Sequence, residues 1–309
     1  MRFLFCTDLH LTGRNPPNRT DKYPSTLIAK MNEVYSIAAR NQVDFVLFGG
    51  DLFDSHRCYA YEVLAEAVMT FRNAHCLTYM IIGQHDLIGY NRSSFTYSTA
   101  HFVSELSGNM LRVLNEPECR TDATIFPCHV FDRLPEVMQQ AGASGKPCPI
   151  VVAHALVTEK RAVYDTILID SLPETNVGLV LCGDYHGGFD LVQRGNTLFY
   201  NPGAMARQKA TTGEMKRVVQ CAIVEVMGGI IHVNPIPLTS ALPSASVFAE
   251  PEPEQEEKPD GVNIDPFIEK LEQLACEATD IFQLLNMMAG PDANQQVMGY
   301  INSFRKSEQ

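Results

Sequence analysis

The sequence predicts an α/β fold. Short apolar runs, too brief for helices, end in glycines and carboxylates as buried strands do; FVLFGGDLFD at 45–54 is the clearest. Stretches with apolar residues at helical spacing separate these runs, so strand, helix and strand follow one another from the start of the chain. Near residue 228 two apolar runs meet at paired glycines, the mark of an antiparallel hairpin.

Arg2 to Thr7 reads as the first strand, and it delivers Asp8 and His10 in the loop TDLHLTG. The proline- and asparagine-rich GRNPPNRTDKYP is a surface loop that brings Arg14, Arg19 and Lys22 toward the same end. A helix then runs from Ser25 or Thr26 to about Arg40, with Leu27, Met31, Val34, Ile37 and Ala38 as its inward stripe. The second strand, Val43 to Phe48, ends in Gly49 and Gly50, which let the backbone approach whatever Asp51 holds. A helix from about Tyr59 to Asn73 leads to the strand CLTYMII and to Gln84, His85 and Asp86. Tyr90 to Asn109 reads as loop followed by helix, MLRVLN and DATIFPCHVF as short strands, and Gln139 to Pro149 as loop. PIVVAHALV is a strand ending at His154, VGLVLCGDYH one ending at Asp184 and His186, and Leu198 to Ala206 a strand and turn. VVQCAIVEVMGGIIHVNPIPL supplies the hairpin.

From Ser240 to Asp260 alternating proline and glutamate cannot build a core, which predicts an extended linker. Beyond it, Phe267, Leu271, Leu274, Ala278, Ile281 and Leu285 fall at helical spacing; the helix either packs on its own domain or is offered to another protein. The expected organisation is a body at 1–239, an acidic linker at 240–262 and a helical segment at 263–309. The net charge of -12 is uneven, because residues 250–309 carry 13 acidic and 4 basic residues and leave the rest at -3. Net charge therefore does not recruit a polyanion, and only a local basic rim could. Nine scattered cysteines without a close CxxC pair indicate reduced thiols and a cytoplasmic location. The first apolar run is too short for a signal peptide and none is long enough for a membrane span.

Five strand ends thus carry Asp8 with His10, Asp51, Gln84 with His85 and Asp86, His154, and Asp184 with His186. Strand ends of a twisted sheet gather at one edge. Oxygen and imidazole donors without thiolate suit hard and borderline cations. The pattern points to a metal cluster and leaves the number of ions open.

DLH, GGDLFD, GQHD, the lone His154, GDYH and the trailing NPG at Asn201–Gly203 resemble the ordered motifs of the calcineurin-like metallophosphoesterases, over roughly residues 1–237. That resemblance implies a four-layer αββα sandwich of two mixed sheets, here with a C-terminal helical appendage. Within the superfamily the chain looks most like the SbcD and Mre11 type of DNA repair nuclease subunit and related phage and prophage exonucleases. By this resemblance Asp8, His10 and His186 bind one ion, Gln84, His154 and Asp184 bind a second, and Asp51 bridges them. His85 faces the scissile phosphate, Asp86 orients its ring, and a metal-bound hydroxide attacks the phosphodiester. Gln84 stands where the family has asparagine and Asp184 where it has histidine; the added carboxylate favours manganese, magnesium or iron over zinc, and the resemblance implies two ions, manganese foremost.

The implied substrate is DNA, cut as an exonuclease or endonuclease in repair or recombination. An SMC-like ATPase on the terminal helix and a homodimer are the implied partners. A small-nucleotide phosphodiesterase or phosphatase, and a catalytically degenerate scaffold subunit, are the alternatives. Arg57, Arg92, Lys160, Arg161, Arg207 and Lys209 follow motif loops as phosphate contacts or as solvated surface. His75, His129 and His232 lack motif support and are expected to be structural, and Asp54 to fix its own loop.

Overall fold

A computed structural model describes residues 1–161 and 166–249. In chain order these form β1 (Arg2–Cys6), α1 (Tyr23–Arg40), β2 (Phe45–Phe48), α2 (Tyr61–Asn73), β3 (Leu77–Met80), α3 (Thr99–Leu106), β4 (Leu111–Val113), β5 (Glu118–Cys119) and β6 (Thr124–Cys128). There follow α4 (Leu134–Ala143), β7 (Pro149–Ala155), β8 (Val157–Thr158), β9 (Ile167–Leu168), β10 (Leu179–Asp184), β11 (Phe189–Arg194), β12 (Thr197–Asn201), α5 (Thr212–Lys216), β13 (Gln220–Met227), β14 (Ile230–Pro237) and α6 (Ser244–Val247).

Two mixed sheets dominate, ordered β14-β13-β1-β2-β3-β4 and β11-β12-β10-β7-β6-β5. Strand alternation sorts the side chains between layers. Phe3 and Phe5 of β1 and Phe45 and Leu47 of β2 meet Ile150, Val152, Leu179 and Leu181 of the other sheet in one buried cluster. Leu4, Cys6, Val46 and Phe48, one residue out of phase, pack instead on Leu27, Met31, Val34 and Phe71 of α1 and α2. Val151, Ala153, Val180 and Cys182 pack on Leu134, Met138 and Ala141 of α4. The result is the four-layer αββα sandwich. In the first sheet β1, β2 and β3 run parallel, and in the second β7 and β10 do, so five strands release their C-terminal loops at the site.

Three departures have local causes. Gln139 to Ala143, expected in a loop, continues α4; Gly142 is tolerated because a Cβ there would meet the Asn176 backbone nitrogen at 3.0 Å. Phe189–Arg194 is an edge strand that its polar sequence concealed, pairing antiparallel with β12. Residues 240–249, expected in the extended linker, are packed: Val247 and Phe248 interrupt the proline–glutamate pattern and are buried. The Thr20 N–H donates to the Val247 carbonyl at 2.9 Å, and the Arg19 guanidinium lies 5.2 Å from the Phe248 ring. The rest of the linker and the 263–309 segment lie outside the described residues. Among the described residues no helix is long and apolar enough to cross a membrane.

Candidate metal centre

Asp8, at the end of β1, has one oxygen held and one offered. Its Oδ2 accepts from the Thr7 hydroxyl at 2.6 Å and the Asp184 N–H at 3.1 Å. Its buried Oδ1 has no hydrogen-bond partner and lies 3.8 Å from His10 Nε2 and 3.7 Å from His186 Nε2. Those two nitrogens are 3.1 Å apart, so Asp8, His10 and His186 converge on one point.

Asp51 repeats the arrangement. Its Oδ1 accepts from the His85 N–H at 2.8 Å. Its Oδ2 is buried without a hydrogen-bond partner, 3.8 Å from His10 Nε2, 3.4 Å from His154 Nε2 and 4.0 Å from His85 Nε2. This oxygen sits between the first ligand set and the second, where a bridging carboxylate belongs. His154 gives its Nδ1–H to the Gly49 carbonyl at 2.7 Å and turns Nε2 inward, 2.8 Å from Gln84 Oε1. Gln84 Nε2 in turn donates to Asp184 Oδ1 at 2.8 Å. All seven expected ligands are therefore brought together.

The local backbone is bent to do this. Asp8, His10, Asp51 and Asp184 all adopt positive φ (53°, 48°, 52° and 73°), conformations that cost energy and gather at functional sites. Gly50 is required at φ 101°, and a Cβ there would meet His154 Nδ1 at 2.4 Å. A Cβ at Gly83 would strike Asp51 Oδ1 at 2.1 Å.

The two residues assigned to catalysis differ in outcome. His85 stands at the rim, 34% exposed, with its ring edge-on to His10. Asp86 does not orient that ring: its Oδ2 accepts from the backbone N–H groups of Asp51 and Gly83 at 3.1 and 3.0 Å. The short turn at Gln84–Asp86 folds the carboxylate under the loop. The His85 Nδ1–H goes instead to the Asp54 carbonyl at 2.8 Å. Asp54 also places its carboxylate Oδ1 3.5 Å from His10 Nδ1, and Gln208 Nε2 donates to that oxygen at 2.7 Å. Asp54 thus serves two imidazoles as well as its loop, and Gln208, unmarked in the sequence, holds Asp54. Arg207 is buried, donating to the carbonyls of Leu242 and Arg217, and Arg19 is buried against Asp21; neither is placed to meet a phosphate. His129 is structural, its Nδ1 accepting from the Ile82 N–H at 2.9 Å.

Two buried carboxylates, Asp8 and Asp51, with unpaired oxygens facing imidazole nitrogens are costly unless positive charge sits among them. The donor set therefore fits divalent cations, in two overlapping ligand groups joined through Asp51, the arrangement of a dimetal centre. Protons answer the same demand. Burial works to lower the His10 imidazole, but Asp54, Asp8 and Asp51 outweigh it and carry it up to about 10. His154 is likewise raised against its burial, chiefly by Asp51. Burial, and then the Asp51 charge, push Asp86 up to about 7.

A ligating imidazole must surrender its inward proton, so loading divalent metal is expected to release protons. The sign follows: with His10 raised to about 10, the competing proton is bound throughout the neutral range and is displaced more easily as pH rises. Apparent metal affinity should climb by on the order of tenfold per pH unit for each proton released. Titration calorimetry in two buffers of different ionisation enthalpy measures the release. A binding constant flat from neutral to mildly alkaline pH would contradict it.

Sheets stacked this way, with oxygen and imidazole donors converging at their strand ends, define a metal-dependent hydrolase. Residues 1–188 match the calcineurin-like phosphoesterase family, Metallophos, and the chain belongs to that family. It is accordingly a metal-dependent phosphoesterase. Among solved structures, a dimetal phosphatase from Danio rerio aligns with a TM-score of 0.52 at 11% identity, over 76% of this chain and 96% of its own. The protein TT1561 of Thermus thermophilus gives 0.45 at 10% identity over 76% and 98% of the two chains. The E. coli phosphoesterase Yfce gives 0.36 at 12% over 73% and 88%. No match was found among curated proteins.

Proposed function

We propose that the protein hydrolyses phosphodiester bonds in DNA, as a nuclease of the SbcD and Mre11 type working with manganese in repair or recombination. The observation that carries this is the shape of the centre. Asp8, Asp51 and His154 form a buried floor, while the His85 and His186 side chains, 34% and 38% exposed, stand at an open rim. A phosphate in the middle of a strand can reach such a rim without threading a free end into a closed pocket. Gln84 and Asp184 add oxygen donors to the second ligand group, which supports manganese, magnesium or iron over zinc.

When bound, the divalent ions supply Lewis-acid polarisation of the phosphoester and lower the proton affinity of water beside it. The chain's own residues do the rest. Asp8, Asp51, His10 and His154 would hold the cations. The His154 ring is oriented by its Nδ1–H on the Gly49 carbonyl and the His10 ring by the Asp54 carboxylate 3.5 Å from its Nδ1. His85 Nε2 would face the entering phosphate to share its developing charge. An ATPase partner, a homodimer and a cytoplasmic location rest on sequence resemblance and composition; the segment that would carry the ATPase lies outside the described residues.

The manganese-loaded full chain should cleave an oligonucleotide, and its affinity for that substrate should fall steeply with salt. About three phosphate contacts to a single strand give a roughly twentyfold loss on raising salt fourfold. Turnover of a simple aryl phosphodiester with the oligonucleotide untouched would replace this proposal by the small-phosphoester alternative, which the near-neutral charge of -3 outside residues 250–309 favours.

A further inference from the structure

Two exposed aromatic rings stand on the loops that follow the Gln84–Asp86 turn and β6. Tyr90 is 64% exposed and Phe131 60%, and their rings meet edge to face with centroids 5.9 Å apart. Large apolar side chains left this open ask for a reason, and their backbones sharpen the question. Residues 88–91 form a tight turn, the Asn91 N–H donating to the Ile88 carbonyl at 3.1 Å, with Gly89 and Tyr90 at φ 55° and 58°. That is the conformation asparagine and glycine ordinarily supply. Residues 129–132 form another, the Asp132 N–H donating to the His129 carbonyl at 3.0 Å, with Phe131 at φ 68°, again where glycine is the usual occupant. Both aromatics thus occupy third positions of turns that disfavour them.

Both turns are tied to the strand that carries the centre. Tyr90 is five residues beyond His85, so their Cα atoms lie within about 18 Å. Phe131 follows Val130, whose N–H donates to the Ile82 carbonyl at 2.9 Å, just before Gln84 and His85. An ion pair between Arg92 and Asp132 at 2.7 Å already fastens the two loops together, so the rings are not needed as a staple. An edge-to-face pair leaves ring faces open, and an open aromatic face accepts any nucleobase by stacking.

We propose that Tyr90 and Phe131 are a stacking platform for a nucleobase near the scissile phosphate, a step that rests on the nucleic-acid substrate proposed above. The platform holds the strand by its bases and takes no part in bond breaking. It gives sequence-tolerant grip where net charge offers little, since stacking uses a face that every base has.

The test pairs Tyr90→Asn with Phe131→Asn, because asparagine accepts positive φ and keeps both turns. The full-length, manganese-loaded double variant is compared with the parent on an oligothymidylate and on the same backbone made of abasic residues. KM for the oligothymidylate should rise about tenfold with kcat little changed. KM for the abasic backbone should stay as it was, and the melting temperature should hold or rise as the turns relax. An unaltered KM for the oligothymidylate, or an equal rise on both substrates, overturns the platform while leaving the nuclease proposal standing. Failure of the parent protein to cut either oligomer, with the aryl phosphodiester still turned over, removes both together.

Discussion

Asp51→Asn should lower phosphoester hydrolysis by about a thousandfold, roughly 4 kcal/mol of lost transition-state stabilisation, and reduce bound divalent metal. Asparagine has the shape of aspartate but cannot satisfy both sides of this position. Oδ1 accepts from the His85 N–H, and Oδ2 faces His10 and His154. If the amide oxygen stays on the His85 N–H, the NH2 group points into the metal centre as a donor where a cation must sit. If the amide is flipped, the NH2 group faces the His85 N–H, donor against donor. Either way the negative charge between the two ligand groups is gone. Metal content by elemental analysis and kcat/KM on an aryl phosphodiester, with circular dichroism to confirm folding, measure the effect. A variant with full metal content and parental rate would show that Asp51 does not join the two groups.

The strand ends were legible because burial and chemistry leave different marks on a sequence. An apolar run that stops at GGD or at GQHD announces both a strand and what it delivers: β1 and β2 end where the apolar residues do, β3 ends two residues sooner at Met80, and β7 and β10 run on to Ala155 and Asp184. What escaped depends on the third dimension. Gln208 reaches Asp54 across 154 residues of chain, a pairing that exists only once the NPG turn lies against the first sheet. The Met205 and Ala206 N–H groups donate to the Thr7 and Asp8 carbonyls and hold it there. Asp86 looked like a partner for the neighbouring His85 because the two are adjacent, yet the turn aims them apart, and a backbone carbonyl takes the ring. Arg207, from its place after a motif, reads as a phosphate contact or as solvated surface, but the fold turns it inward onto carbonyls. The positive φ angles of Asp8, His10, Asp51 and Asp184 have no signature in side-chain pattern at all.

His85→Ala should lower kcat by between about a hundredfold and ten thousandfold, the range of a lost proton donor, and leave metal content nearly intact. Geometry alone permits two roles, since His85 Nε2 lies with His10 and Asp51 in one group of possible ligands. Two features favour the donor. The ring is at the exposed rim while the floor is buried. Its Nε2 is 4.0 Å from Asp51 Oδ2, farther than the 3.4 Å that separates His154 Nε2 from the same oxygen. The Nδ1–H on the Asp54 carbonyl fixes the direction of Nε2 and suits either role, as the same bond does at His154; donation further requires a proton on Nε2. Removing a donor that acts as the phosphorus centre changes should depress kcat and kcat/KM alike, with a small effect on KM. Removing a ligand should instead weaken metal binding, so raising the manganese concentration would restore the rate. The decisive measurement is therefore a manganese titration of the variant: a low rate that stays low at saturation assigns His85 to the chemistry, and recovery of the parental rate assigns it to the metal.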